Sequence, residues 1–152
     1  MANVKKLKVA AGAVAVALPV IALFEGLVLR PYRDPVGIMT VCYGETNTAM
    51  REYTPAECKA MLEKSAREHA EAIAQCLPPD GLPEPIMAAS ISFAYNVGAQ
   101  KFCASTMSAK LRAGDYRGGC AELSRWVYAG GKALPGLVKR RQAERAMCER
   151  GL

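Results

Sequence analysis

Sixteen consecutive residues, VAAGAVAVALPVIALF from Val9 to Phe24, carry no charge and no strongly polar side chain, and Lys5, Lys6 and Lys8 stand just before them. Such a stretch has to leave water, into lipid or into a protein core, and so it constrains the fold more than any other part of the chain. Its order, basic and then apolar, is that of an export signal. As a helix rising about 1.5 Å per residue it covers about 24 Å, short of the roughly 30 Å hydrocarbon core of a bilayer. Six of the sixteen residues are alanine, with Gly12 and Pro19 among the rest, so the segment is weakly hydrophobic and its hold on a membrane is marginal. Three membrane readings stand side by side. A cleaved signal peptide is supported by the small-x-small triplets AVA at 13–15 and 15–17. A permanent anchor is disfavoured by shortness and alanine content. The third is a retained signal that later leaves the membrane. A core helix of a cytosolic protein is the alternative without a membrane.

The rest of the composition narrows the setting. At 152 residues, 51% hydrophobic, the chain can bury a core of its own as one globular domain, expected as a monomer. Its net charge of +6 favours polyanions: nucleic acid, anionic lipid or the anionic bacterial wall. No glycine-rich phosphate loop or aromatic-basic signature stands out. Basic residues are scattered except for the lysines before Val9 and the run Lys139, Arg140, Arg141, so nucleic acid is not an expected partner. Six cysteines, Cys42, Cys58, Cys76, Cys103, Cys120 and Cys148, imply an oxidising compartment and up to three disulfides. Small buried hydrophobes in a reducing compartment are the alternative. Pairing between sequence neighbours, 42 with 58, 76 with 103 and 120 with 148, closes the shortest loops among fifteen possible connectivities. No Cys-x-x-Cys pair exists, and the single histidine, His69, lies in a charged run where solvation is expected, so neither a metal nor another cofactor is implied.

After Phe24 the pattern changes. Pro31, Pro35, Gly37 and Gly44 forbid a long helix up to about residue 54, while IMTVCY from Ile38 to Tyr43 suits one arm of a small sheet. Thr54, Pro55 and Glu57 form a capping-box start with proline at the first helical position, opening a helix to about Gln75. LPPDGLPEP, from Leu77 to Pro85, breaks it. Further helices are expected over Ile86–Val97, Ser105–Ala113, Asp115–Val127 and Pro135–Arg150, separated by Gly98, Gly114 and the Gly130–Gly131 pair. The fold class is α+β and mostly helical.

Where the apolar segment ends, polar chemistry begins. Glu25, leaving an apolar helix, is expected to be partly desolvated, which raises a carboxyl pKa and suits a proton donor. Asp34, beside Arg33 in a proline-containing turn, is expected to stay ionised. Two carboxyls set apart in this way suit glycoside cleavage, one protonating the leaving oxygen while the other handles the water or the cation, with Thr40 able to hold that water. Taken alone, a Glu and an Asp nine apart are commonplace, and two solvated charges would read the same way.

The context of the pair is more specific. Glu25-x8-Asp34-x5-Thr40, with the glycine of EG after the acid and the later TVCYG, resembles the catalytic signature of the tailed-phage lysozymes, glycoside hydrolase family 24. SFAYNVGAQKF (Ser92 to Phe102) and RWVYAGGKALPGLVKRRQAE (Arg125 to Glu144) are similar to two further hallmark segments of its endolysin branch, so the likeness runs from Phe24 to about Cys148. The resemblance implies a muramidase that cuts the β-1,4 bond between N-acetylmuramic acid and N-acetylglucosamine in peptidoglycan. It implies a small β lobe and a larger helical lobe with the cleft between them. Glu25 would be the general acid, Asp34 the carboxylate opposite and Thr40 its partner in positioning water, in a family generally described as inverting. Many relatives carry histidine where this chain has Glu45. The export segment joined to such a domain also resembles the signal-anchor-release endolysins, which implies that residues 1–24 tether the catalytic domain, 25–152, inactive in the host inner membrane until it is freed into the periplasm. An ordinary secreted lysozyme and a non-enzymatic cationic wall-binding or membrane-disrupting protein are the competing functions.

Overall fold

The computed structural model describes residues 2–152, with side chains described from Ala10 onward, so the side chains of Lys5, Lys6 and Lys8 lie outside the described residues. The apolar segment is one long helix, α1, Ala2–Glu25, and Pro19 lies inside it. Its buried residues include Ala13, Ala17 and Ile21, a row at i+4 spacing, while Val16 and Leu23 on other faces stay 37% and 75% exposed. Among the described residues no helix is long and apolar enough to cross a membrane.

Two short strands follow, β1 (Val28–Arg33) and β2 (Met39–Cys42), paired antiparallel with Tyr32 opposite Thr40 and a register shift between Val28 and Tyr32. Pro31, which cannot donate to a ladder, is tolerated because β1 has only one strand beside it. The sequence pattern indicated only the second arm of this sheet. β1 was hidden because most of its residues are exposed and no alternation of apolar and polar side chains marks it.

Helix α2, Pro55–Ala74, starts as its sequence predicts. The Thr54 hydroxyl accepts from the Glu57 amide at 3.2 Å, and the Glu57 carboxylate accepts from the Thr54 amide at 3.0 Å. Helix α3, Glu84–Val97, runs through the middle of the core, with nine consecutive buried residues from Ile86 to Ala94. Helices α4 (Ala99–Ala104), α5 (Thr106–Arg112) and α6 (Tyr116–Glu122) are short, and α4 was not anticipated. The helix expected over Asp115–Val127 stops at Glu122. A single 3₁₀ turn over Leu123–Arg125 follows, and Trp126 leaves the helical region at φ −96°, ψ 52°. That turn lets the Trp126 ring meet Phe93 edge-on, 5.1 Å between centroids, which helical continuation would not. A two-residue hairpin, β3 (Tyr128–Ala129) and β4 (Lys132–Ala133), turns at Gly130 and Gly131 and leads into α7, Pro135–Glu149.

The molecule is mostly helical with small antiparallel sheets. One apolar core unites residues of α1, α2, α3, α5, α6 and α7, and a smaller one of Val41, Cys42, Tyr53 and Cys58 sits under the sheet. Disulfides join Cys42 to Cys58, Cys76 to Cys103 and Cys120 to Cys148, the neighbour pairs, and leave no cysteine free among the described residues. Cys42–Cys58 ties the sheet to the start of α2.

Candidate active site

Helical periodicity delivers Glu25. The buried row Ala13, Ala17, Ile21 continues by one more step of four to Glu25, the last residue of α1, so the face that seats the helix also aims this carboxylate inward. Its side chain is 22% exposed, and Oε1 accepts from Nη1 of Arg140 at 2.7 Å. Arg140 is itself 4% exposed. It donates through Nη2 to the Ser92 carbonyl at 3.0 Å and lies 3.4 Å from Glu144 through Nε. Glu144, fully buried, also takes the Ser92 hydroxyl at 2.6 Å and the guanidinium of Arg141, which reaches on to Asn96 and to the Trp126 carbonyl. Burial pulls the Arg141 pKa below its usual value while Glu144 opposes that. Among the described residues no buried side-chain nitrogen or oxygen lacks a partner, so this desolvated network is complete.

The basic run Lys139–Arg141 therefore supplies buried anchors at two of its three positions. No feature of the sequence reading assigned them that role. The available signal was local: Arg140 and Glu144 are four apart on α7, on the face toward α3, within one of the segments that carry the family likeness. Glu25 is partly desolvated, as expected, and it has in addition a positive neighbour in Arg140, which nothing in the sequence reading foresaw.

Asp34 sits in the turn between β1 and β2, and its Oδ1 accepts from the amides of Val36 at 3.0 Å and Ile38 at 2.8 Å. Arg33 does not pair with it but donates to the Gly37 carbonyl at 3.1 Å. Thr40, 3% exposed on β2, donates its hydroxyl to the Ile38 carbonyl at 2.9 Å, and the Asp34 amide donates to the same carbonyl at 2.9 Å. Asp34 and Thr40 are thus fastened to one peptide group. The Oδ2 of Asp34 and the lone pairs of the Thr40 hydroxyl are left to accept from something else.

Gly44 closes the site from the sheet side. It takes φ +81°, and a β-carbon there would stand 3.1 Å from Oε2 of Glu25, so a side chain would be both strained and set against the acid. Next to it, Glu45 accepts from the Ser65 hydroxyl at 2.8 Å. Burial pushes the Glu45 pKa up, Ser65 pulls it down, and Glu68, His69 and Glu25 contribute less. His69 is half-buried rather than freely solvated: Nδ1 meets the Ser65 carbonyl at 2.7 Å and the ring lies 5.1 Å from that of Tyr95. A cleft of about 350 Å³ opens beside Glu25, lined by Phe24, Asn96, Leu134, Leu137 and Arg140. It has the mixture of apolar walls and a few convergent polar groups that suits a bound sugar chain.

Comparisons with known proteins point to one family. The family model described as phage lysozyme matches residues 22–144. The chain is 46% identical over 127 residues to a SAR-endolysin of Bacteriophage PS119, covering 82% of this chain and 75% of the relative. Among solved structures it resembles the endolysin from Escherichia coli O157:H7 phage FAHEc1, with TM-score 0.80 and 25% identity over 90% of this chain and 92% of that one. It also resembles the active form of the P1 phage endolysin Lyz, with TM-score 0.79 and 25% identity over 89% and 83%.

Proposed function

Because the chain belongs to the phage lysozyme family, we propose that Glu25, Asp34 and Thr40 are the groups with which it hydrolyses the β-1,4 bond between N-acetylmuramic acid and N-acetylglucosamine. The protein is a muramidase, an endolysin acting on peptidoglycan. The observation that carries the assignment of roles is the division of labour at Glu25. Oε1 is taken by Arg140, and Oε2 faces Gly44 in the turn after β2, a position without a side chain. Oε2 is then the oxygen that holds the proton and passes it to the glycosidic oxygen. Arg140 stabilises the carboxylate that remains once the proton has gone. From the β1–β2 turn, Oδ2 of Asp34 accepts one hydrogen of the attacking water and the Thr40 hydroxyl, already donating to Ile38, accepts the other. The alternatives of a wall-binding or membrane-disrupting protein give no use to this arrangement.

The test is mass spectrometry of digested peptidoglycan from wild type and from Glu25→Gln, which fills the same volume but has no proton to give. We expect new N-acetylmuramic acid reducing ends from the wild type. Loss in Glu25→Gln should exceed the roughly 10²- to 10⁴-fold typical of general acid catalysis, since no second acid stands at Oε2. A folded Glu25→Gln protein keeping a tenth of the activity would sink the assignment.

Residues 1–24 are the tether, holding a monomer inactive in the inner membrane before it passes to the periplasm. Support comes from an excess of apolar character: packing on this core asks for residues such as Ala13, Ala17 and Ile21, yet Val16, Pro19 and Leu23 are apolar and exposed. While embedded, α1 would keep Glu25 from Arg140 and Gly44, and docking would seat it. Strengthening the anchor without touching the core calls for exposed positions, because Gly12 lies against Glu84 and Ala13 is fully buried. Ala11→Leu with Ala15→Leu should leave the protein in the membrane fraction and non-lytic. Lysis on schedule from that fraction would refute tethering as the control, and an N-terminal sequence starting after Lys8 would show a cleaved signal instead.

A further inference from the structure

The turn after β2 starts at Cys42, which its disulfide fastens to Cys58 of α2, and it is gripped from outside at two further positions with Gly44 between them beside the acid. At Tyr43, the carbonyl accepts from the Tyr95 hydroxyl of α3 at 3.0 Å. At Glu45, the carboxylate accepts from Ser65 of α2 at 2.8 Å. Gly44 lies between, against Oε2 of Glu25. The turn's shape is one the chain does not hold unaided. Cys42 is at φ +60°, the one non-glycine residue in the left-handed region among the described residues, and Gly44 follows at φ +81°. Two backbone bonds between Val41 and Glu45, 3.0 and 2.9 Å, draw its ends together. The outer grips also brace each other, since the Ser65 carbonyl meets His69 and His69 lies on Tyr95.

A half-buried carboxylate is a poor way to stabilise such a turn, since an apolar side chain of similar volume would avoid the cost of desolvation. What a carboxylate adds is direction: it fixes the turn at the one place where Ser65 can reach it. We propose that Glu45 is a positioning residue for the hydrolysis, which through its bond from Ser65 holds Gly44 against Glu25 and so fixes the orientation of Oε2. The inference rests on the reading of Glu25 as the proton donor.

The test measures kcat and KM on soluble peptidoglycan fragments, with thermal melts, for Glu45→Ala, Glu45→Gln, Ser65→Ala and the Ala/Ala double variant. A shift of the turn by a fraction of an ångström should cost Glu45→Ala about 10-fold in kcat with KM changed less than about 2-fold. Glu45→Gln, whose amide oxygen accepts the same bond, should stay within about 3-fold of wild type. Ser65→Ala should match Glu45→Ala, and the double variant should be no worse than either. Wild-type kcat in Glu45→Ala, a Glu45→Gln as poor as Glu45→Ala, or losses that add in the double variant would each overturn the proposal. Should Glu45→Ala not fold, Ser65→Ala against Ser65→Thr, which keeps the hydroxyl, makes the same decision. Glu25→Gln runs alongside. If it is active, the acid assignment fails whatever Glu45 does; if it is inactive and Glu45→Ala is normal, only the role of Glu45 fails.

Discussion

The two candidate carboxylates, Glu25 beside the cleft and Asp34 in the β1–β2 turn, are held by opposite means. Asp34 is fixed by its neighbours in sequence, two amides no more than four residues away, in an exposed turn that Pro35 and Gly37 help to shape. Glu25 is fixed by Arg140, 115 residues further along, inside a network that also binds Ser92, Asn96, Arg141 and Glu144. The difference is one of cost. A local turn can be assembled and lost at small expense, whereas a desolvated ion network is worth having only when every member is present.

The comparison breaks hardest at Arg140. Arg140→Ala would leave the buried Glu144 with only Ser92 and Arg141 and Glu25 with no ion-pair partner, and we expect about 3–5 kcal/mol of lost stability by denaturant titration together with loss of lysis. Stability within about 1 kcal/mol of wild type would mean that the network is not the rigid side of the site. At the local end, Asp34→Asn keeps an oxygen for the two amides and removes only the charge, so activity should fall at least about 10²-fold with the melting temperature unchanged. Asp34→Ala should add a stability loss of about 1 kcal/mol from the undone turn. Local capping elsewhere sets the scale: Thr54→Ala, read by the same titration, should cost about 1 kcal/mol and leave turnover intact.

The smallest effects are in pH dependence, where two carboxylates of the α2 region have opposite signs. Burial raises the folded pKa of Glu45 above its ordinary 4.5, so stability falls as pH rises from there through the raised value, and Glu45→Gln should flatten that part of a melting-temperature profile. At Glu57 the bond from the Thr54 amide, and then Arg51, lower the folded pKa. Its contribution is present above the ordinary value and is lost as pH falls through the lowered one, so Glu57→Gln should change only the acidic end. Coincident profiles for the two variants would show that the environments do not differ as described.

The same contrast explains what could be read in advance. Thr54 with Glu57, and the turn at Asp34, are patterns within a few residues, and their spacing is their mechanism. The mostly helical class follows from periodicity, and the position of Glu25 at the end of an apolar helix follows from the uncharged run before it. Arg140 lay in a run of three basic residues whose one local signal, Glu144 four residues on, pairs just as readily on an exposed helix face, and burial is decided by α3 crossing α7. Ser65 and Glu45, twenty apart, meet only because Cys42–Cys58 and the Val41–Glu45 bridge bring the sheet down on α2. The premature end of α6 depended likewise on Trp126 finding Phe93.

One consequence of the row Ala13, Ala17, Ile21, Glu25 concerns counting rather than composition. An α-helix turns about 100° and advances about 1.5 Å with each residue, so one residue gained or lost between Ile21 and Glu25 would swing the carboxylate a quarter-turn or more out of phase with Arg140. Seven residues would nearly restore the direction, yet carry it about 10.5 Å too far. The side chains on the outer face of α1 answer to the membrane rather than to the cleft, while the interval from Ile21 to Glu25 is locked like the teeth of a gear, and a single-residue indel there would silence the enzyme without altering any residue of its cleft.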